Sequence, residues 1–414
     1  MKTDYHISII GLGYVGLPLV LEFSKYYPVI GYDIDKNRVS QLNSSVDINK
    51  DIDVISKDVI FTDELHQLKK SNIYIITVPT PVDDHNKPDL SYIEDATKSV
   101  STLIDKNDII IYESTVYPGV TEEICVPILE KYSSLKYNVD FFCGYSPERI
   151  SPGNSNYQLT NVVKITSGST PEIANIVDRL YSKIVTAGTY KASSIIIAES
   201  AKVVENTQRD VNIALMNELA MMFDKMNIKT LDVLDAAKSK PNFLDFKPGL
   251  VGGHCISVDP YYLLHKSEKS GFLPNLLKTA RNINNLTPDF IVKKTLYFLQ
   301  KSNKRTKFSS VVIFGYTFKE NCSDIRNTMV KNIALSLKNK KINVDIYDPF
   351  VIDKPNNNFI ENPFVHKKKY DLIIVAVAHE IFSNYTKEDF LLISNGKLVL
   401  LDIKGLYNYS TWKL

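Results

Sequence analysis

Three glycines near the start of the chain, spaced Gly11-x-Gly13-x-x-Gly16, constrain its fold more than any other feature. They stand between a short apolar run and a segment with helical spacing, so the local order is strand, tight turn, helix. A second apolar run then ends at Asp33, seventeen residues after Gly16. This order predicts a β-α-β unit at the start of a parallel, doubly wound sheet.

Each part of this unit suits a dinucleotide. Gly11 permits the tight turn, Gly13 lets backbone N–H groups approach a pyrophosphate, and Gly16 allows the helix to pack closely on the sheet. The N-terminus of the helix favours negative charge. Asp33 is placed to accept hydrogen bonds from the adenosine ribose and to repel a 2′-phosphate. These features together predict NAD, and not NADP, as the cofactor, with FAD left open.

Two threonines follow later strands of the predicted sheet. Apolar runs alternate with helical patterns after Asp33, and Thr80 and Thr115 each come shortly after such a run. Because ligands collect beyond the carboxyl ends of parallel strands, both threonines are candidates for contact with the cofactor. Tyr14 and Val15, inside the glycine turn, are further candidates. For Thr115 a helix N-cap is an equally good interpretation.

The composition of the whole chain excludes several classes of protein. Its 414 residues suffice for two or three cores, and a net charge of +2 gives no basis for a nucleic-acid partner. The N-terminal apolar run is too short for a signal peptide, and no apolar stretch reaches the ~18 residues of a membrane span. We therefore expect a cytoplasmic protein without a membrane partner. Four scattered cysteines without a C-x-x-C pair argue against a disulfide framework or a metal site.

The chain is predicted to have three parts. Between Thr189 and Lys240 there is no Gly or Pro, and apolar residues recur at helical spacing, which indicates a helical domain built around one long helix. A second α/β pattern begins at Ser310, with one glycine in place of three. We thus predict an α/β fold in which two doubly wound, Rossmann-like domains, residues 1–190 and 301–414, are joined by a helical domain over residues 191–300.

The densest chemical pattern is Gly252-Gly253-His254-Cys255. Paired glycines leave the backbone beside Cys255 open to approach, as a reactive thiol in a tight pocket requires. A thiolate attacks carbonyl carbon well once positive charge or a helix N-terminus favours its ionisation. His254 suits pocket lining better than the role of a base. The other cysteines suit the ordinary role of inert buried residues: Cys125, Cys143 and Cys322.

For several other polar residues, both a catalytic role and an ordinary structural role agree with the sequence. Asp259 precedes Pro260, as in a helix N-cap followed by proline at the first helical position, which does not exclude catalysis. Lys202 and Asn206 are four residues apart on the predicted helix, so one face could present an ammonium and an amide to an oxyanion. A surface lysine is the plainer interpretation of Lys202. Glu148 fits either a surface turn or a carboxylate aimed into a cleft.

Taken in order, these segments resemble the UDP-glucose/GDP-mannose dehydrogenase family, the nucleotide-sugar 6-dehydrogenases. The resemblance covers essentially the whole chain through the segments 11–16, 78–81, 113–115, 146–148, 199–206, 252–260 and 314–326. It implies an N-terminal NAD-binding domain, a central helical domain that forms a homodimer, and a C-terminal domain that binds the UDP-sugar substrate. The implied reaction is a four-electron oxidation of a C6 alcohol through a cysteine thioester, in the synthesis of surface polysaccharide precursors.

The resemblance assigns roles residue by residue. Cys255 resembles the family's nucleophile, whereas Glu148 and Thr115 match residues around the hydrolytic water and the cofactor. The catalytic candidates are Cys255, Lys202, Asn206, Asp259 and Glu148. Lys319 and Arg326 match a substrate-contacting motif. The substrate-binding candidates are Glu148, Arg149, Lys202, Asn206, Gly252, His254, Lys319 and Arg326.

Within the family, residues 242–255 are similar to the branch that acts on UDP-N-acetylhexosamines, namely UDP-GlcNAc or UDP-GalNAc. The glucose branch typically has Phe-Gly-Gly-Ser-Cys and a lysine before the following aspartate, where this chain has His254 and Val258. The UDP-N-acetylmannosamine branch shares Gly-Gly-His-Cys and is the nearest alternative. Two departures from the family are a missing Glu-Pro-Gly turn after Gln41 and a lysine, Lys238 or Lys240, near the position of a glucose-branch arginine.

Two other functions are compatible with parts of the pattern. A two-electron hydroxyacid dehydrogenase also joins an NAD domain to a helical domain, but it has no use for Cys255 or for a second α/β domain. A non-catalytic NAD-binding protein would keep the fold without needing the cysteine, lysine, asparagine and aspartate together. A count of NADH formed per sugar separates all three functions.

Overall fold

The computed structural model describes residues 4–47, 59–149, 159–304, 306–352, 354–365 and 368–414. The chain divides into two compact units. The first comprises Met1–Glu205 and Tyr261–Phe272, and the second comprises Asn206–Pro260 and Leu273–Leu414. The loop after Gln41 that departs from the family pattern lies partly outside the described residues.

In its described part, the first unit contains an eight-stranded sheet. The strands are β1 (Ile7–Ile10), β2 (Val29–Tyr32), β3 (Ile60–Thr62), β4 (Ile73–Ile76), β5 (Asp108–Tyr112), β6 (Phe141–Tyr145), β7 (Lys164–Gly168) and β8 (Thr189–Lys191). They lie in the order β3-β2-β1-β4-β5-β6-β7-β8, and the β6–β7 pair is antiparallel whereas the other pairs are parallel. The first six strands follow the order of a dinucleotide-binding sheet.

Helices cover the faces of this sheet. They are α1 (Gly16–Ser24), α2 (Lys36–Asn43), α3 (Ser91–Ser101), α4 (Val126–Ser133) and α5 (Pro171–Ile184). The start of α5 is set by Thr170, whose side chain accepts a hydrogen bond from the backbone N–H of Ile173. Strands β1, β4 and β5 are buried along their whole length, as expected where helices cover both faces of a parallel sheet. The strand order reverses between β1 and β4, which is where such sheets bind ligands.

Long helices dominate the middle of the chain. They are α6 (Ile195–Lys225), α7 (Thr230–Ala237), α8 (Asp259–Lys269) and α9 (Asn275–Lys301). The predicted long helix is α6, with 31 residues; Asn227, which has a left-handed φ of 56°, lies between it and α7. Helix α8 begins at Asp259 itself, one residue earlier than the N-cap interpretation expected. A second long helix, α9 with 27 residues, was not predicted and contains Pro288 in its interior.

The second unit holds a parallel sheet of five strands among its described residues. The strands are β9 (Ser310–Phe314), β10 (Asn343–Tyr347), β11 (Leu372–Val375), β12 (Leu400–Asp402) and β13 (Trp412–Lys413), with α10 (Val330–Asn339) and α11 (Lys387–Leu392) packed on it. Their order is β10-β9-β11-β12-β13. This doubly wound order, together with the first sheet and the helical region between them, confirms the predicted fold class.

The two sheets share one local device at the end of their second strand. Asp33 follows β2, and its Oδ2 accepts a hydrogen bond from the N–H of Leu12 in the glycine turn at 2.7 Å. Asp348 follows β10, and its Oδ2 accepts from the N–H groups of Tyr316 and Thr317 at 2.6 and 3.0 Å. Each acid therefore fixes the turn that follows the first strand of its own sheet.

Candidate active site

The three glycines of the first turn have different neighbours. Gly11 has a left-handed φ of 96°, which side chains disfavour. A Cβ on Gly16 would lie 1.8 Å from the carbonyl oxygen of Gly11, so packing alone requires glycine there. A Cβ on Gly13, by contrast, would meet no atom of the described residues within 4 Å. The open space at Gly13 suits a dinucleotide that approaches the backbone of the turn, with Tyr14 and Val15 at the start of α1.

Thr77, which follows β4, fixes the glycine turn by hydrogen bonds, and this role was not predicted from the sequence. Its hydroxyl donates to the carbonyl oxygens of Ile10 and Gly11, at 3.0 and 2.7 Å. Its side-chain oxygen would also lie 2.6 Å from a Cβ on Gly16. A buried polar residue at the end of a strand adjoining the glycine turn was the available signal.

Asp33 lies against the turn as the NAD prediction requires. Its two oxygens accept the N–H groups of Leu12 and Asp35, at 2.7 and 2.9 Å. A carboxylate has about four acceptor sites, so capacity for ribose hydroxyls remains. Arg38, the nearby cation, donates to the Leu12 carbonyl and pairs with Asp47 at 2.8 Å. The site therefore fits NAD, because the charge of Arg38 is matched by Asp47 and Asp33 would repel a 2′-phosphate.

The structure brings the two predicted threonines together. The hydroxyl of Thr80 donates to the carbonyl oxygen of Thr115 at 2.6 Å. Tyr262, fully buried on α8, donates from its hydroxyl to the carbonyl of Thr80 at 2.7 Å. The segments that follow β4 and β5 are thus tied to each other and to α8 at the carboxyl edge of the sheet. Tyr262 was not identified from the sequence, because 182 residues separate it from Thr80.

A buried carboxylate holds the loop after Thr115. Glu199 on α6 accepts hydrogen bonds from the N–H groups of Gly119 and Thr121, at 2.5 and 2.9 Å. Burial raises the pKa of Glu199 to about 7, although these hydrogen bonds act in the opposite direction. Glu199 therefore titrates near neutral pH while it positions a loop of the predicted cofactor site.

The segment with Glu148 is anchored on the start of β7. Ser146 donates from its hydroxyl to the Ile165 carbonyl at 2.7 Å, and the ammonium of Lys164 donates to the Pro147 carbonyl at 3.0 Å. Glu148 is only 5% exposed. The surface-turn interpretation of this residue is therefore wrong.

Arg149 and Lys164 extend these anchors. Arg149 donates to the Val163 carbonyl at 2.6 Å and pairs with Glu205 at 2.7 Å. Lys164 forms a fully buried ion pair with Glu113, which also accepts a hydrogen bond from the hydroxyl of Tyr181. Such a buried pair is stable only when its partners satisfy each other, so these contacts fix the segment closely.

In the second unit, the chain around Cys255 leads into α8, which begins at Asp259. The backbone N–H groups of Val258 and Asp259 both donate to the Cys255 carbonyl, at 3.0 and 2.8 Å. Cys255 is half-buried, whereas Cys125 and Cys143 are buried. Burial raises the pKa of Cys125 to about 12, and it also raises the pKa values of Cys143 and Cys322. Cys125 and Cys143 are buried as expected, whereas Cys322 is half-buried like Cys255, so the buried environment expected for Cys322 is wrong.

Two of the predicted catalytic residues meet directly. The amide nitrogen of Asn206 donates to Oδ2 of Asp259 at 2.6 Å, within the second unit. Lys202 lies four residues before Asn206 on the continuous helix α6, which places both on one helix face. Lys202 is 4% exposed, so it is not a surface lysine.

Two of the substrate-binding candidates of the second unit, Lys319 and Arg326, lie in the segment 317–327. Arg326 pairs with Asp324 through two of its nitrogens, at 2.8 to 3.2 Å. The hydroxyl of Thr317 donates to the Lys319 carbonyl at 2.9 Å. Burial, and then the charge of Arg326, lower the pKa of His254, so the imidazole is neutral at physiological pH. A neutral imidazole suits the pocket-lining role expected for His254, and that role stays a prediction.

Comparison with known proteins decides the family. The models of the UDP-glucose/GDP-mannose dehydrogenase family match in order along the chain: the NAD binding domain over residues 5–185, the central domain over 197–286 and the UDP binding domain over 312–409. The chain belongs to this family. It is an NAD-dependent UDP-sugar dehydrogenase, which confirms the predicted enzyme class and cofactor.

Members of the family resemble the chain along almost its whole length. It is 47% identical over 410 residues to a UDP-N-acetyl-D-glucosamine 6-dehydrogenase of Pseudomonas aeruginosa, with 97% of each chain covered. It is 48% identical over 408 residues to a protein of the same name from Salmonella typhi, covering 97% of this chain and 96% of that one. A solved UDP-D-ManNAc dehydrogenase from Pyrococcus horikoshii superposes with a TM-score of 0.89 at 30% identity, covering 99% and 98%.

Family membership also bears on the rival functions. A hydroxyacid dehydrogenase has no use for the UDP binding domain matched over residues 312–409. None of the helices in the described ranges combines the length and apolar character that crossing a bilayer requires.

Proposed function

We propose that this dehydrogenase oxidises the C6 alcohol of a UDP-N-acetylhexosamine, UDP-GlcNAc or UDP-GalNAc, to the uronic acid. The observation that carries the proposal is the identity of 47–48% over 97% of the chain to two proteins named UDP-N-acetyl-D-glucosamine 6-dehydrogenase. The segment 242–255, with His254 before Cys255, supports the same branch. The product keeps its UDP leaving group, which suits transfer into a surface polysaccharide.

NAD is proposed to lie on the glycine turn at the point where the strand order reverses. The contacts would come from Gly11, Gly13, Tyr14, Val15, Gly16, Asp33, Thr80 and Thr115. Bound NAD supplies a hydride acceptor for each of two oxidations. The protein's part is to hold it: Asp33 orients the ribose, and the tie between Thr80 and Thr115 fixes the loops at the edge of the sheet.

Cys255 is proposed to capture the aldehyde formed by the first oxidation. Its sulfur adds to the carbonyl carbon to give a thiohemiacetal, and loss of hydride from that carbon leaves a thioester. Water then cleaves the carbon–sulfur bond, which releases the carboxylate and restores the thiol. Capture keeps the aldehyde in the site between the two oxidations.

The other catalytic candidates have separate proposed roles. Lys202 and Asn206 stabilise the oxyanions, for which the amide of Asn206 is fixed by its hydrogen bond to Asp259. Asp259 transfers protons, and Glu148 assists the hydrolytic water. The nucleotide sugar would be bound by Arg149, Gly252, His254, Lys319 and Arg326 in addition to these groups.

The proposed assembly is a cytoplasmic homodimer formed through α6. Four of its apolar residues are about half exposed: Ile197, Val204, Leu215 and Met222 at 49, 52, 49 and 45%. Their spacings of seven, eleven and seven residues are close to whole helical turns, so all four lie on one face. A second copy of the same stripe is the proposed occupant of this face.

The order of the three family models supports domains of residues 1–190, 191–300 and 301–414.

A second candidate substrate is UDP-N-acetylmannosamine. The solved UDP-D-ManNAc dehydrogenase shares the fold over nearly the whole chain, at 30% identity. The higher identity to the glucosamine enzymes makes this the runner-up.

One assay tests both the reaction and the substrate. Purified protein is given each UDP-sugar with NAD, and NADH and uronic acid are counted per sugar consumed. We expect two NADH per sugar and a higher kcat/KM for UDP-GlcNAc or UDP-GalNAc than for UDP-glucose. UDP-glucose lacks the acetamido group, so polar groups of the pocket that bind this group are left unpaired, and each such loss costs about 1–3 kcal/mol. One NADH per sugar contradicts the four-electron reaction, and equal use of UDP-glucose contradicts the proposed branch.

A further inference from the structure

The loop that carries Cys255 packs on the segment 317–327 of the same unit. A Cβ on Gly253 would lie 2.6 Å from the ring of Phe318, and a Cβ on Gly252 would lie 2.6 Å from the backbone oxygen of Asn327. The ring and the carbonyl thus occupy the room that side chains at these positions would take. The paired glycines serve this contact as well as access to the thiol.

Asn327 also fixes the loop through its side chain. Its amide nitrogen donates to the carbonyl oxygen of Gly253 at 3.1 Å. The same oxygen accepts a hydrogen bond from the hydroxyl of Ser257 at 2.6 Å. The carbonyl two residues before Cys255 is therefore held from two sides. Asn327 makes this contact from a left-handed φ of 53°, which asparagine tolerates better than most residues.

The residue before Asn327 belongs to the proposed nucleotide site. Arg326 is held by its pair with Asp324, and the carbonyl oxygen of Asp324 accepts the N–H of Phe318 at 3.1 Å. Phe318 and Asn327, the two residues that touch the paired glycines, are thereby joined through the same turn. A nucleotide that engages Arg326 acts on the element that positions the nucleophile loop.

We propose that Asn327 is a positioning residue that couples occupancy of the nucleotide site to the placement of the Cys255 thiol. This inference rests on the proposed roles of Cys255 and Arg326. The UDP group is remote from the reacting C6, and enzymes use binding energy from remote groups to organise the reacting centre. Asn327 can transmit the binding energy of the UDP group, because it follows Arg326 in the nucleotide segment and its amide donates to Gly253 in the nucleophile loop.

The test measures alkylation of Cys255 by iodoacetamide in the full-length protein, with and without saturating UDP. UDP is the probe because it lacks the hexose that would cover the thiol. In the wild type we expect UDP to change the alkylation rate constant at Cys255, read by peptide mass spectrometry, about tenfold. Asn327→Gly keeps the left-handed backbone but loses the amide, so UDP should still bind while its effect on alkylation disappears.

Turnover provides a second readout for the same variant. We expect the kcat of Asn327→Gly to fall on the order of tenfold or more while KM for the UDP-sugar stays nearly constant, since a misplaced nucleophile affects chemistry more than binding. Asn327→Asp keeps the shape but replaces the donor by an acceptor, and it should also lose the coupling. Asn303→Gly is the matched control, because Asn303 also has a left-handed φ, of 56°, and is exposed after α9.

The outcomes separate the inference from the proposed function. A UDP effect that survives in Asn327→Gly and Asn327→Asp, or that is missing from the wild type, overturns the role of Asn327. Alkylation needs no turnover, so this result does not depend on the reaction. One NADH per sugar in the wild type would overturn the proposed function instead.

Discussion

Glu199 holds two backbone N–H groups with one buried carboxylate, and its protonation state follows from burial. Its pKa is raised from 4.5 to about 7, so between these values the folded chain keeps a proton that the unfolded chain has released. The stability that this group contributes is fully present below pH 4.5 and is lost as the pH rises through 7. This loss comes from the cost of burying the charge, because the hydrogen bonds from Gly119 and Thr121 favour the ionised carboxylate.

Replacing Glu199 by glutamine tests this linkage. Glutamine releases no proton, so the stability of the variant relative to the wild type should increase from about pH 5 to about pH 8, by up to roughly 3 kcal/mol. Thermal unfolding of both proteins across this range gives the comparison. Parallel pH profiles of the two proteins would show that Glu199 has an ordinary pKa.

Cys255 offers the most direct test of the thioester. Cys255→Ala should abolish formation of the uronic acid while NAD still binds, because the second oxidation and hydrolysis need the sulfur. Acid formation is measured by mass spectrometry and NAD binding by calorimetry. Cys143→Ala, which removes a buried thiol of the first unit, is the control and should keep acid formation. Normal acid production by Cys255→Ala would eliminate the covalent route.

The predictability of these residues depended on distance along the chain. Cys255 and its paired glycines form a local pattern, so the sequence alone indicated their chemistry. Glu199 lies 80 residues from Gly119, and a hydrogen bond between such distant positions leaves no local signal. Lys202 was ambiguous because helical spacing predicts which face of the helix carries it but does not predict whether that face is buried.

At the scale of elements, proline and turn residues decided where prediction failed. Helix α6 was predicted because its stretch lacks Gly and Pro, whereas α9 carries Pro288, which usually indicates a helix end. The apolar run over residues 139–143 predicts a strand there, but β6 begins two residues later, at Phe141. The chain turns at Asn138, which has a φ of 57° and donates from its N–H to the Phe141 carbonyl, and this leaves Val139 68% exposed.

The contacts of Lys164 at the start of β7, which hold the Glu148 segment, allow a prediction at the scale of elements. Lys164→Met leaves the carboxylate of Glu113 buried without its cation, which should lower the free energy of unfolding by about 3–5 kcal/mol. The double variant Glu113→Gln with Lys164→Met has no buried charge at this position and should recover part of that loss. Denaturant unfolding of the double variant and of both single variants, Lys164→Met and Glu113→Gln, measures it. Simple addition of the two single effects would show that the pair is not coupled.

For the whole molecule, the apolar stripe on α6 predicts the assembly. Leu215→Glu places a charge in the proposed interface, so the proposed homodimer should dissociate into monomers at micromolar concentration. Sedimentation velocity distinguishes the two states. Leu335→Glu on α10 is the matched control, since Leu335 is 47% exposed but lies outside the stripe. A dimer that persists in Leu215→Glu would place the interface elsewhere.

The acid after β10 limits how many cofactors one chain can hold. Asp348 accepts hydrogen bonds from the N–H groups of Tyr316, Thr317 and Phe350, and Nε2 of His379 lies 3.0 Å from its Oδ2. Three of these contacts are to Oδ2, and the side chain is only 4% exposed, so a ribose that paired with this carboxylate would have to displace one of its partners. Despite two doubly wound sheets, equilibrium dialysis should therefore find one equivalent of NAD per chain, and a second equivalent would mean that Asp348 exchanges its partners for a ligand.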